Sequence, residues 1–104
     1  MTIEELLSFA KEEHQRLLRF YNLSPEQLTY PNVLKVVEET GELCEALLSQ
    51  QGIQRAEKLQ NTDPEVAKEL VDVLITLLVL SENLEVNVEE ELKRGIERRR
   101  LRKY

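Results

Sequence analysis

Residues 63–84 read DPEVAKELVDVLITLLVLSENL, and the fold follows from how this stretch is punctuated and filled. Asp63 can cap a helix and Pro64 fits a first helical position, so a helix is predicted from Pro64 to about Glu82 or Leu84. From Leu70 to Leu80 it is apolar on nearly every side, interrupted by Asp72. As a helix that run is about 16 Å long, whereas spanning a bilayer takes about 20 apolar residues. It therefore reads as a buried core helix. A helix apolar all round asks for contact on more sides than the rest of a 104-residue chain supplies, so part of it is expected in a subunit interface.

The segments on either side read as further helices. Thr2 with Glu5 forms a capping-box pattern, and Ile3, Leu6, Leu7, Ala10, Leu17, Leu18 and Tyr21 recur at helical spacing, which predicts a first helix over about 3–21. Asn22-Leu23-Ser24-Pro25 ends it, and Ser24-Pro25-Glu26 starts a short turn. Pro31-Asn32 is then predicted to open a second helix that carries Val33, Val36, Val37, Leu43, Cys44 and Leu47 to about Gln50. Gly41 is costly inside that helix unless something approaches closely. Residues 51–62 are polar and read as a loop with a helical turn near 55–59. Asn87 with Glu90 caps a fourth helix from about Val88 to Arg100. With 41% apolar and 33% charged residues, three Gly and three Pro, the chain suits one all-α domain over residues 1–104. The expected form is a four-helix bundle-like protomer completed by oligomerisation.

Net charge is −6, which disfavours binding to a nucleic-acid polymer, yet the C-terminus concentrates Lys93, Arg94, Arg98, Arg99, Arg100, Arg102 and Lys103. Cations near a helix C-terminus complement its dipole, and a run this dense also suits phosphate. Cys44, the single cysteine, has no internal partner for a disulfide and reads as a small core residue. Met1-Thr2-Ile3-Glu4-Glu5 lacks a basic stretch leading into an apolar one, so a cytoplasmic location without membrane contact is expected.

The chemistry is concentrated in carboxylates. Glu38, Glu39 and Glu42 sit within about 60° of one another around a helix axis in the pairings Glu38–Glu42 and Glu39–Glu42, so all three can turn toward one side. Glu69 and Asp72 repeat the three-residue spacing. An E-x-x-E spacing recurs by chance on solvated helix faces, and local ion pairs explain part of this one: Lys35 precedes Glu39 by four residues and Lys68 precedes Asp72 by four. That leaves Glu38, Glu42 and Glu69 without a local cation. Asp72 weighs most, because its neighbours are Leu70, Val71, Val73, Leu74 and Ile75, and an isolated buried carboxylate costs several kcal/mol. A hard divalent cation would compensate it. Acidic groups without a ligand His or Cys favour Mg²⁺ or Mn²⁺ over Zn²⁺, and the Glu-x-x-His of helical di-iron sites is missing. His14 is left as a surface or packing residue, and Tyr21 and Tyr30 read as core or rim packing. No P-loop, G-x-G-x-x-G or nucleophile elbow occurs.

Val37-Glu38-Glu39-Thr40-Gly41-Glu42-Leu43 and Glu69-Leu70-Val71-Asp72-Val73-Leu74-Ile75, in that order and spacing, resemble the MazG-like branch of the all-α nucleoside triphosphate pyrophosphatases. The resemblance covers about residues 30–85. It implies hydrolysis of a nucleoside triphosphate, or its deoxy form, to the monophosphate and pyrophosphate with Mg²⁺, and assembly as dimers or tetramers. Carried over by position, it makes Glu39, Glu42, Glu69 and Asp72 metal ligands and Glu38 the base that orients or deprotonates the attacking water. The chain departs from the pattern at the C-terminus. Relatives resemble one another there in a Lys followed four residues later by an Asn, and here those places hold Gly95 and Arg99. Lys93, Arg98 and Arg99 are the candidates to meet the phosphates instead, since arginine presents a fork of donors to phosphate oxygens. Two other readings are a non-catalytic helical dimerisation module and a nucleotide sensor that keeps the acidic site without turnover.

Overall fold

The computed structural model describes residues 1–50 and 64–104 of the chain. They form α1 (Ile3–Tyr21), α2 (Pro25–Gln50), α3 (Pro64–Asn83) and α4 (Val88–Arg100), and no strand occurs among them. The fold is all-α. The predicted loop over 51–62, its helical turn and the Asp63 cap lie outside the described residues.

Short-range chemistry sets most of the helix ends. Thr2 Oγ1 accepts from the Glu5 N–H and the Glu5 carboxylate accepts from the Thr2 N–H, which closes the predicted capping box of α1. At its other end Asn22 adopts a left-handed conformation, φ 52°, and the Leu23 N–H returns to the Leu18 carbonyl. Glu85, φ 58°, plays the same part after α3, with the Val86 N–H bonded to the Ser81 carbonyl. Asn87 Oδ1 accepts from the Glu90 N–H to cap α4 as predicted.

The start of α2 departs from the sequence reading. The helix begins at Pro25, and Pro31, expected to open it, lies inside. Ser24 and Gln27 make a second reciprocal box: Ser24 Oγ accepts from the Gln27 N–H, and Gln27 Oε1 accepts from the Ser24 N–H. Pro25 then takes the first helical position. Pro31 deprives only the Gln27 carbonyl of its partner, and Gln27 is exposed to water.

α2 and α3 pack along their length and α1 lies against α3, while no residue of α4 is buried. Among the described residues, Ala10, Leu28, Val66, Leu78 and Val79 are the buried apolar ones. Much apolar surface stays open, with Leu34, Val37 and Leu48 on α2 and Leu70, Leu74 and Leu77 on α3 all exposed. Cys44 is also exposed, not in the core, because it shares the outer face of α2 with these residues.

One buried polar chain ties three helices together. The Thr29 hydroxyl donates to the Pro25 carbonyl and accepts from Asn83 Nδ2 at 2.9 Å. Asn83 Oδ1 is thereby left to accept from His14 Nε2–H at 2.7 Å. His14 and Asn83 are both buried, so the bonds join α1, α3 and α2 where water is excluded. Asn83→Leu leaves His14 and Thr29 without these partners. Urea unfolding should show a loss of about 1–3 kcal/mol; no loss would show that the chain of bonds is dispensable.

Candidate metal centre

Glu39 on α2 and Glu69 and Asp72 on α3 each bring a carboxylate oxygen to one point, all within 4.8 Å of one another. The two helices run antiparallel, so residues meet at descending levels: Thr29 with Asn83, Glu39 with Asp72, Glu42 with Glu69. Asn32, Lys35, Glu39 and Glu42 follow one stripe of α2, and Glu69, Asp72, Thr76 and Val79 one stripe of α3. The acidic cluster is thus where two facing stripes cross from apolar to charged.

Glu39 and Glu69 are only 7% and 5% exposed. Lys35 Nζ bridges Glu38 at 3.3 Å and Glu39 at 3.2 Å, and Lys68 Nζ bridges Glu69 at 3.2 Å and Asp72 at 3.1 Å. The predicted pairs with Glu39 and Asp72 are present, but Glu38 and Glu69 also have a local cation, contrary to the sequence reading. A lysine has a long flexible stem and three donors, so one ammonium reaches two neighbouring carboxylates. Each lysine works from the solvent side. One buried oxygen of Glu39 and one of Glu69 keep no hydrogen-bond partner, at a cost on the order of 1–3 kcal/mol apiece.

These orphaned oxygens test whether the residues suit a divalent ion. The donors are all carboxylate oxygens, the set preferred by hard cations. The three carboxylate oxygens already stand within 4.8 Å of one another, so the cluster could close around a small hard cation. The fit is good. Glu42 stands at the rim, exposed, with its carboxyl pushed above the usual carboxylate range by the charge of Glu39, then by lost solvation and by Glu69. A carboxyl crowded by like charges is poised to accept a cation. Lys35 and Lys68 are pushed up in turn, chiefly by bonds to Glu39 and to Asp72 respectively.

Two expected placements differ. Asp72, read as an isolated buried carboxylate, has a side chain 36% exposed and pairs with Lys68; the deeply buried pair is Glu39 with Glu69. Glu38 does not join the cluster's oxygens. Its side chain is 56% exposed, and it lies beside Lys35 on the wall of the cavity between α1, α2 and α3, because one residue turns a helix by about 100° away from Glu39. Lys93 pairs with Glu90, while Arg98 and Arg99 line a separate surface cleft with Ser81, Val88 and Ile96. Ser81 is nine residues beyond Asp72, about 13 Å along the helix. Within one chain Lys93, Arg98 and Arg99 are thus placed away from the cluster.

A family model described as the MazG nucleotide pyrophosphohydrolase domain matches residues 28–103. Comparisons with curated proteins and with solved structures gave no match. The matched span takes in α3, α4 and nearly all of α2, with every carboxylate of the cluster, and the chain belongs to the MazG nucleotide pyrophosphohydrolase family.

Proposed function

We propose that the chain is a Mg²⁺-dependent nucleoside triphosphate pyrophosphohydrolase, acting on a ribo- or deoxynucleotide in cytoplasmic house-cleaning of the nucleotide pool. The observation that carries this reading is the buried Glu39–Glu69 pair, each with an unpartnered oxygen, beside Asp72 in a chain of this family. Glu39, Glu69 and Asp72 would hold the ion, with Glu42 closing over it from the rim; Mn²⁺ suits the same oxygens. The ion, when bound, supplies neutralisation of the triphosphate charge and acidifies water.

Glu38 takes a proton from the attacking water, whose oxygen forms the new bond to phosphorus as the bond between the α-phosphorus and the bridging oxygen breaks and pyrophosphate leaves. Its place beside the cluster but outside it suits a base, which must stay free of the ion. Lys35 and Lys68, paired with these carboxylates, would remain beside the site as cations. Lys93, Arg98 and Arg99 would meet phosphates from a second copy of the chain, since they are placed away from the cluster of their own chain.

Pyrophosphate release from a panel of ribo- and deoxynucleoside triphosphates, with Mg²⁺, Mn²⁺ or EDTA, tests this. Release with metal and none with EDTA is the expected outcome. Gly95 and Arg99 in place of Lys and Asn favour the sensor as second reading, and binding of a triphosphate without release would support it. Neither binding nor release would leave the dimerisation module.

A further inference from the structure

α1, α2 and α3 line a cavity of about 460 Å³ whose wall includes Lys35, which pairs with Glu39 of the acidic cluster. Its size falls within the roughly 300–1,000 Å³ of small-molecule sites. Leu17, Leu28, Ile75 and Val79 make its walls mainly apolar. Besides Tyr21 and the charged Glu13, Lys35 and Glu38, two polar side chains interrupt them. Thr76 donates its hydroxyl to the Val73 carbonyl and keeps lone pairs to accept. Asn32 is 6% exposed, and its amide nitrogen has no hydrogen-bond partner. A buried amide donor without a partner costs stability and asks for an acceptor.

Lys35 and Glu38 line the end of the cavity nearest the carboxylates. Asn32 and Glu39 are two turns apart on one stripe of α2, about 10 Å by helix rise, and Thr76 is one turn from Asp72. A ligand seated in the cavity therefore has one end at Lys35 and Glu38, which adjoin the cluster. The charged end is not the part that enters: the walls are mainly apolar, and the one cation on the lining, Lys35, is already paired with Glu38 and Glu39. What fits is a flat, largely apolar group with a hydrogen-bonding edge.

We propose that this cavity takes the nucleobase of the substrate and that the Asn32 amide reads its edge, after a rotation about χ2 that turns the amide nitrogen to the cavity. This rests on the nucleotide pyrophosphohydrolase reading of the cluster. An amide offers one donor and one acceptor, so it pairs with a base edge that carries an acceptor beside a donor. Asn32 is then a specificity residue, distinct from the groups that hold the ion or activate water.

The test compares the intact chain with Asn32→Leu and Val79→Phe, each checked for folding by thermal melting and for the ion site by Mn²⁺ binding. Turnover of triphosphates of all common bases is measured alongside binding of the phosphate-free nucleosides by calorimetry. Asn32→Leu should leave Mn²⁺ binding unchanged and compress the spread of kcat/KM between best and worst base at least tenfold. Val79→Phe, which fills the cavity, should raise KM at least tenfold for every base. Folded variants with unchanged KM and unchanged base ranking would overturn the proposal. If the intact chain turns over no nucleotide, the hydrolase reading fails by itself. Nucleoside binding then decides: binding lost in Asn32→Leu sustains the cavity assignment, and no binding by the intact chain overturns it.

Discussion

Glu39→Gln should lower kcat/KM for nucleotide hydrolysis by about a thousandfold or more while leaving the ion-free protein folded. Several kcal/mol of charge stabilisation depends on the ion, and each 1.36 kcal/mol is a factor of ten in rate. The substitution keeps the shape of the side chain but removes one of two buried carboxylates that face each other. Lys35 loses a partner without penalty of the buried kind, because its side chain is half exposed and still pairs with Glu38. A residue with a purely structural role would behave in the opposite way, losing stability and sparing activity. Mn²⁺ titration and a thermal melt of the same variant separate the two. Glu42 adds a pH signature. Its carboxyl is held above the ordinary 4.5, so its ionisation works against the ion-free fold as pH rises through the window between 4.5 and that raised value. Acidification through that window relieves the ion-free chain of this repulsion and weakens metal binding, since proton and cation compete for one carboxylate. Glu42→Gln should therefore weaken Mn²⁺ binding and flatten its dependence on pH.

The second large effect concerns assembly. Leu34, Val37 and Leu48 on α2 and Leu70, Leu74 and Leu77 on α3 are exposed, on the sides of their helices turned away from Glu39 and Asp72. Two unpartnered apolar faces, one on each helix, are expected to be covered by another chain. The protein should sediment as a dimer or tetramer of the 12.2 kDa chain, and Leu34→Glu with Leu74→Glu should convert it to monomer. Activity should fall with assembly if Arg98 and Arg99 act from a neighbouring copy. Gly41 sharpens the test. A Cβ placed there meets nothing within 4 Å in the single chain, so Gly41→Ala should stabilise an isolated protomer by about 0.5–1 kcal/mol. If a second chain packs on this face, the same change weakens assembly instead. An intact chain that sediments as a monomer at tens of micromolar would contradict the assembly.

The four helices were legible because their caps are local chemistry. Thr2 with Glu5 and Asn87 with Glu90 name their helix starts within four residues. The start of α2 was misread because Pro31 resembles a first-turn proline, and the glutamine of the Ser24–Gln27 box is a weaker signal than a glutamate. Within the site, the three-residue spacing put Glu69 and Asp72 on one side of α3, and the packing of α2 on α3 adds Glu39 within 4.8 Å. It could not rank their burial, which depends on how α2 and α3 cross, nor show that each lysine spans two carboxylates. Asn32 was invisible as a site residue. Its cavity exists only where three helices meet, and no spacing along one helix records that.

The most direct test of the central claim is a ³¹P NMR spectrum of one turned-over nucleoside triphosphate mixed with the intact chain or with Glu39→Gln, before and after adding Mg²⁺. Nucleoside monophosphate and pyrophosphate should appear together, only with Mg²⁺ and only with the intact chain. Nucleoside diphosphate with orthophosphate, or the same spectrum from Glu39→Gln, would contradict it.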